Sequence, residues 1–89
     1  MSDVVKFEVQ FLSSAAKEFR NLPQEIKKRA ITKIDSLASN PFPKASKKLK
    51  GKNDFYRIRI GPYRVIFEIR NDENIILITR IRHRSDVYK

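Results

Sequence analysis

Arginine is the residue type in this chain that could carry chemistry, and it recurs at a telling spacing. Arg57 and Arg59 stand two apart just before Gly61-Pro62, Arg64 follows that pair, and Arg80, Arg82 and Arg84 again run two apart. In a strand, a spacing of two puts side chains on one face. Guanidinium groups stay charged and present a planar fork of donors that matches phosphate oxygens. Such a set suits anion binding and the stabilisation of charge developing on a phosphoryl group. It is poorly suited to proton transfer, because arginine does not deprotonate in proteins. The chain has one histidine, His83. A lone histidine among arginines is more often structural than catalytic, so it receives no role.

The Gly61-Pro62 pair sets how these arginines meet. It fits a two-residue type II′ turn, with glycine supplying positive φ at the first position. Proline at the second gives up no required donor. Such a turn pairs Ile60 with Tyr63, Arg59 with Arg64, Ile58 with Val65 and Arg57 with Ile66. Tyr56, Ile58, Ile60, Tyr63, Val65 and Phe67 then share one face, suited to a core. Phe55, Arg57, Arg59, Arg64, Ile66 and Glu68 share the other. Two arginines directly opposed across strands are destabilising, and an anion between them turns the repulsion into attraction. The alternative is that they splay into solvent or pair with Glu68 and nearby acids. Arg80 and Arg82 share a face while the last strand continues. Tyr88 either stacks on a base, an interaction of about 1–3 kcal/mol, or closes the edge of the core.

The elements that hold these residues follow from periodicity. Val5, Phe7, Val9 and Phe11 alternate with Lys6, Glu8 and Gln10, the pattern of a half-buried strand. Ser13 or Ser14 is the expected cap of a short helix running through Ala15, Ala16 and Phe19 to near Leu22. Pro23 is expected at the first position of a second helix. Ile26, Ala30, Ile34, Leu37 and Ala38 form its apolar stripe, and Asn40-Pro41 ends it. The two helices should form an antiparallel hairpin. Residues 41–53 read as a loop carrying Lys44, Lys47, Lys48, Lys50 and Lys52. Strands follow at about 54–60, 63–69 and 75–82, the last two joined by the turn Asn71-Asp72-Glu73-Asn74. Ile75 to Ile78 is apolar on both faces, which places the last strand inside the sheet. The order β-α-α-β-β-β predicts an α+β fold, a helical hairpin packed on one face of a mostly antiparallel sheet. The face without helices is where function is expected.

Composition bounds the rest. Eighty-nine residues fit one domain, 1–89, and there is no cysteine, so neither disulfides nor a structural zinc site is expected. The N-terminus lacks a basic lead-in followed by an apolar run, and no stretch approaches the ~20 apolar residues of a membrane span. A cytoplasmic location follows as the expectation. Twenty Lys and Arg against ten Asp and Glu give a formal charge of +10. Residues 1–43 hold seven basic and five acidic side chains, a net +2. Residues 44–89 hold thirteen and five, a net +8. That asymmetry points to a polyanion, most simply nucleic acid.

Together these stretches resemble the RelE/ParE superfamily of toxins along nearly the whole chain. The resemblance rests on Phe7–Leu22, on Lys47-Lys48-Leu49-Lys50-Gly51, and on Tyr56-Arg57-Ile58-Arg59-Ile60. It rests equally on Tyr63-Arg64-Val65-Ile66-Phe67 and on Arg82-His83-Arg84-Ser85-Asp86-Val87-Tyr88. It implies a fold related to small microbial ribonucleases, and a type II toxin that enters the ribosomal A site and cuts mRNA there. It also implies a cognate antitoxin, no metal and no cofactor. By motif, the catalytic positions fall on Arg57, Arg59, Arg64, Arg82 and Tyr88. Lys47, Lys48, Lys50, Lys52, Arg80 and Arg84 are then the candidates for contact with RNA and rRNA. ParE-like members instead poison DNA gyrase and generally lack the full cationic set, which is complete here. A non-catalytic RNA-binding module, whose arginines only grip phosphates, is the other alternative. Some relatives have lysine where this chain has Arg57 and Arg59. The resemblance implies that these two bind phosphate and help deprotonate the ribose 2′-hydroxyl. Lysine can act as a base, but arginine stays protonated, so this departure points to electrostatic roles, with water or rRNA taking the proton.

Overall fold

The structure is a computed structural model describing residues 6–40, 47–48, 55–70 and 72–86. Its elements are β1 (Glu8–Phe11), α1 (Ser13–Arg20), α2 (Gln24–Ser39), β2 (Lys47–Lys48), β3 (Phe55–Ile60), β4 (Tyr63–Arg70) and β5 (Ile75–His83). A 3-10 turn, Arg84–Asp86, follows. The sheet order is β1-β5-β4-β3-β2. Among the described residues only β1 runs parallel to its neighbour, β5; the other pairs are antiparallel. The expected α+β architecture is therefore present, as two helices on a mixed sheet. β5 lies inside it, between β1 and β4, as its two-faced apolar run predicts. Val5, Lys44, Lys50, Lys52, Asn71 and Tyr88 lie outside the described residues.

One continuous core joins helices to sheet. α2 buries Ile26, Ala30, Ile34 and Leu37, and α1 buries Ala15. Against them lie Ile58, Ile60, Val65, Phe67, Ile69, Ile76, Ile78 and Ile81 from β3, β4 and β5. Phe11 and Phe19 meet edge-on, with centroids 5.6 Å apart. No charged or polar side chain among the described residues is buried in this core.

Three local expectations need correction. Neither Ser13 nor Ser14 caps α1: both are inside the helix, and the cap position is Leu12. The cause is β5. The Leu12 N–H donates to the Ile78 carbonyl at 3.0 Å, holding Leu12 extended, and the Leu12 carbonyl then accepts the first helical bond from Ala16. Pro23 likewise sits at the cap rather than at the first helical position of α2. There its carbonyl accepts from the Lys27 N–H at 2.8 Å. The stretch expected to be all loop contains β2, whose Lys47 and Lys48 pair with Arg57 and Tyr56. Two paired residues carry no periodicity for a sequence pattern to display.

The Gly61-Pro62 turn yields the expected register: Ile60 opposite Tyr63, Arg59 opposite Arg64, Ile58 opposite Val65, Arg57 opposite Ile66. Gly61 has φ +58, and a Cβ there would lie 3.2 Å from Ile26 Cδ1. Replacing Gly61 with alanine should therefore lower stability by about 1–3 kcal/mol, the usual range for a residue forced into sparsely populated backbone space. Urea unfolding of Gly61→Ala checks this; wild-type stability would show that the turn tolerates a side chain.

Candidate nucleic-acid interface

The functional face is built by register. Arg59, Arg64 and Arg82 form one row across β3, β4 and β5, because Arg64 is the partner of both others. Adjacent strands lie about 4.8 Å apart, so three guanidinium stems fit within roughly 10 Å. The Arg59 carbonyl accepts from Lys33 Nζ at 3.3 Å. Ile60 and Tyr63 flank the two-residue turn as a hydrogen-bonded pair, so by alternation Arg59 and Arg64 are a non-hydrogen-bonded pair, the kind whose Cα atoms come closest, about 4.5 Å. The next row, about 6.7 Å along the strands, reads Lys47, Arg57, Ile66 and Arg80.

A bulge in β5 completes the set. Arg80 pairs with Ile66 but Ile78 pairs with Phe67, so Thr79 is left over. Its hydroxyl donates to the Ile66 carbonyl at 3.1 Å. Strict alternation would put Ile76, Ile78, Arg80 and Arg82 on one face and drive both arginines into the core. The extra residue changes phase: Ile76, Ile78 and Ile81 are buried, while Arg80 is exposed and Arg82 half-buried. Such phase changes are what bulges do.

Counter-charges are sparse. Among the described residues, no carboxylate lies within ion-pair distance of Arg57, Arg59, Arg64 or Arg80. Glu68, the acid on this face, pairs instead with Arg70 at 3.2 Å. A polar pocket of ≈ 250 Å³ opens at the turn, lined by Arg59, Gly61, Pro62, Tyr63, Arg64 and Arg84. Arg84 is fixed there because its N–H donates to the Pro62 carbonyl at 2.7 Å. Like charges gathered round a small polar cavity favour an anion within it.

One neighbour of the row escaped the sequence reading. Glu18, on α1, accepts from the Ile81 N–H at 2.7 Å and places its other oxygen 3.6 Å from Arg82 Nε. The signal was available: Glu18 lies three residues after Ala15 and four before Leu22, on the inward stripe of its helix. His83 packs edge-on against Tyr63, and its Nδ1 accepts from the Ser85 N–H at 3.1 Å. That is a positioned, structural histidine, in keeping with its unassigned role. Lys47 and Lys48 are brought to the sheet edge beside Arg57 and Tyr56.

Fold and face together define a class: a small α+β domain whose helix-free sheet surface is a register-locked arginine cluster. The family described as the ParE toxin of the type II toxin–antitoxin system parDE matches residues 5–88. RelE1 of Methanocaldococcus jannaschii is 36% identical over 88 residues, covering 96% of this chain and 98% of the relative. Toxin RelE3 of the same organism is 33% identical over 84 residues, covering 90% and 93%. The toxin chain in the archaeal RelE–RelB complex from Pyrococcus horikoshii OT3 superposes with TM-score 0.79 at 28% identity. That match covers 89% of this chain and 96% of that one. The chain belongs to the RelE/ParE family, the toxins of type II toxin–antitoxin systems.

The arginine row is strained by its own charge, and this can be measured. Arg64→Gln should raise unfolding free energy by roughly 0.2–1 kcal/mol at low salt, the scale of a cross-strand pair. The gain should vanish near 1 M salt, where the Debye length is about 3 Å. Urea titrations at both ionic strengths check this, and a loss of stability at low salt would contradict it.

Proposed function

We propose that this toxin is a ribosome-dependent endonuclease that cleaves mRNA in the A site. The observation that carries the reading is the Arg59–Arg64–Arg82 row, three cations from three strands with Arg64 between the other two. A phosphoryl group passing through a pentacoordinate transition state gains negative charge, and prepositioned donors at that point are the largest catalytic term available. The ribose 2′-oxygen attacks the adjacent phosphorus as the bond from phosphorus to the 5′-oxygen breaks. The products are a 2′,3′-cyclic phosphate, or its opened 3′-phosphate, and a 5′-hydroxyl. Arg64 stabilises the phosphorane, and Arg82 stabilises or protonates the leaving oxygen, the 5′-hydroxyl's proton coming finally from water. Arg57 and Arg59 bind phosphate, and Tyr88 orients or stacks the nucleotide. The proton leaves the 2′-hydroxyl to water or rRNA, since arginine cannot take it.

We assign Arg80, Arg84, Lys47, Lys48, Lys50 and Lys52 to contact with RNA and rRNA. A surface of net charge +10 also suits an acidic antitoxin segment that shields it. The toxin relative from Pyrococcus horikoshii is held in a complex with RelB, which supports a cognate antitoxin here. No described helix is long and apolar enough to cross a membrane, and we place the protein in the cytoplasm with its ribosomal substrate.

The ParE description of the matching family favours a second reading, a gyrase inhibitor without nuclease chemistry. One pair of assays separates the two. In a translation extract with a defined mRNA, the wild type should cut within A-site codons. Arg64→Ala and Arg82→Ala should each lower the cleavage rate by about 10²-fold or more, the loss typical of one transition-state donor. Blocked DNA supercoiling with intact mRNA would replace this reading with the gyrase one.

A further inference from the structure

α1 reaches the arginine row through one side chain. β1 ends at Phe11, opposite Ile78, so beyond Ile78 the outer edge of β5 has no strand neighbour among the described residues. An unpaired N–H there would be costly to bury. Glu18 fills the gap: its Oε1 accepts from the Ile81 N–H at 2.7 Å. Its Oε2 then lies 3.6 Å from Arg82 Nε, too far for a hydrogen bond and close enough for direct attraction. Arg82 Nε is buried and has no hydrogen-bond partner, although the side chain as a whole is 39% exposed. The exposed part of Arg82 therefore lies away from Nε. One edge of the guanidinium is turned inward to a carboxylate, and the rest is free to meet an anion.

We propose that Glu18 is the positioning residue of Arg82. It fixes the backbone one residue before Arg82 through a hydrogen bond and orients the guanidinium by charge, from a helix that contributes nothing else to the cationic face. It also supplies the one counter-charge among the described residues to the Arg59–Arg64–Arg82 row. A carboxylate this close would lower affinity for RNA if bulk charge were all that mattered. Its benefit must then lie in geometry, where displacement of a reacting group by about 1 Å can cost 10²-fold in rate. This assignment rests on the endonuclease reading for its catalytic meaning and on the Glu18–Arg82 contact for its physical one.

The test uses Glu18→Gln, which keeps an oxygen for the Ile81 N–H and removes the charge. Alongside it are Arg82→Ala and the double variant, each checked for a wild-type thermal transition. On programmed ribosomes, Glu18→Gln should lower the single-turnover cleavage rate about 10-fold to 100-fold. Its ribosome dissociation constant should be unchanged or tighter. In the Arg82→Ala background the same substitution should have no further effect on rate, as expected when two residues act as one unit. A wild-type rate, equal losses in both backgrounds, or a loss confined to binding would each overturn the proposal. The Arg82 Nε–H signal in a nitrogen-15 spectrum gives a readout independent of cleavage. It should exchange slowly in the wild type and shift and exchange faster in Glu18→Gln. If the wild type cut no mRNA, the endonuclease reading would fall, and an unchanged Arg82 signal in Glu18→Gln would separately refute the contact.

Discussion

Three guanidinium groups abreast on one row of a sheet repel one another, and the rest of the fold has to hold them there. The two-residue Gly61-Pro62 turn allows no slack: it places Arg59 against Arg64, and β4 then places Arg64 against Arg82. Behind the row, Ile58, Ile60, Val65 and Ile81 are nearly or wholly removed from solvent. Each fully buried aliphatic side chain contributes about 1.5–3 kcal/mol, against about 0.2–1 kcal/mol for a like-charge cross-strand contact. Packing wins by a wide margin. Because neighbouring residues of a strand point to opposite faces, moving an arginine off the row by a register slip would also expose the core. The same hydrophobic pattern that stabilises the sheet therefore locks the cations in place.

This logic was legible in the sequence for β3 and β4 because both the turn and the alternation are explicit there. Gly61-Pro62 names the turn, and the order Tyr56-Arg57-Ile58-Arg59-Ile60 names the faces. In β5 the apolar residues 76 and 78 are followed by 81, so the alternation loses phase at Thr79. Read as an uninterrupted two-faced apolar strand, the segment gives the position of β5 in the sheet but not the bulge that turns Arg80 and Arg82 outward. β2 was illegible for a different reason, since its pairing depends on where β3 presents an edge. The serine caps failed because a tertiary bond, Leu12 to Ile78, overrode a local preference.

Glu18 shows what a linear reading misses most readily. Its partners lie 63 and 64 positions later, at Ile81 and Arg82, and neither helix periodicity nor strand alternation relates them. What could be read is an anomaly, a carboxylate on a stripe otherwise made of Ala15, Phe19 and Leu22. An acid on an inward stripe requires a donor, and the open edge of β5 beyond Phe11 provides one. The helix that seems only to cover the sheet thus also finishes its edge.

The same geometry bears on why such a site would work on a ribosome rather than alone. A metal-free phosphoryl transfer by the 2′-hydroxyl needs charge stabilisation and a proton acceptor. The row supplies the first in fixed form. Its described neighbours are poorly placed to supply the second: Glu68 is paired with Arg70, and Glu18 is engaged by Ile81 and Arg82. His83 Nδ1 is engaged by the Ser85 N–H. With arginine at positions 57 and 59, the cations cannot exchange roles with a base. If the row is the active site proposed above, it is electrostatically complete but short of a proton acceptor, and would need a structured RNA to bring one. On the proposed endonuclease reading, that dependence would confine cleavage to mRNA held on the ribosome.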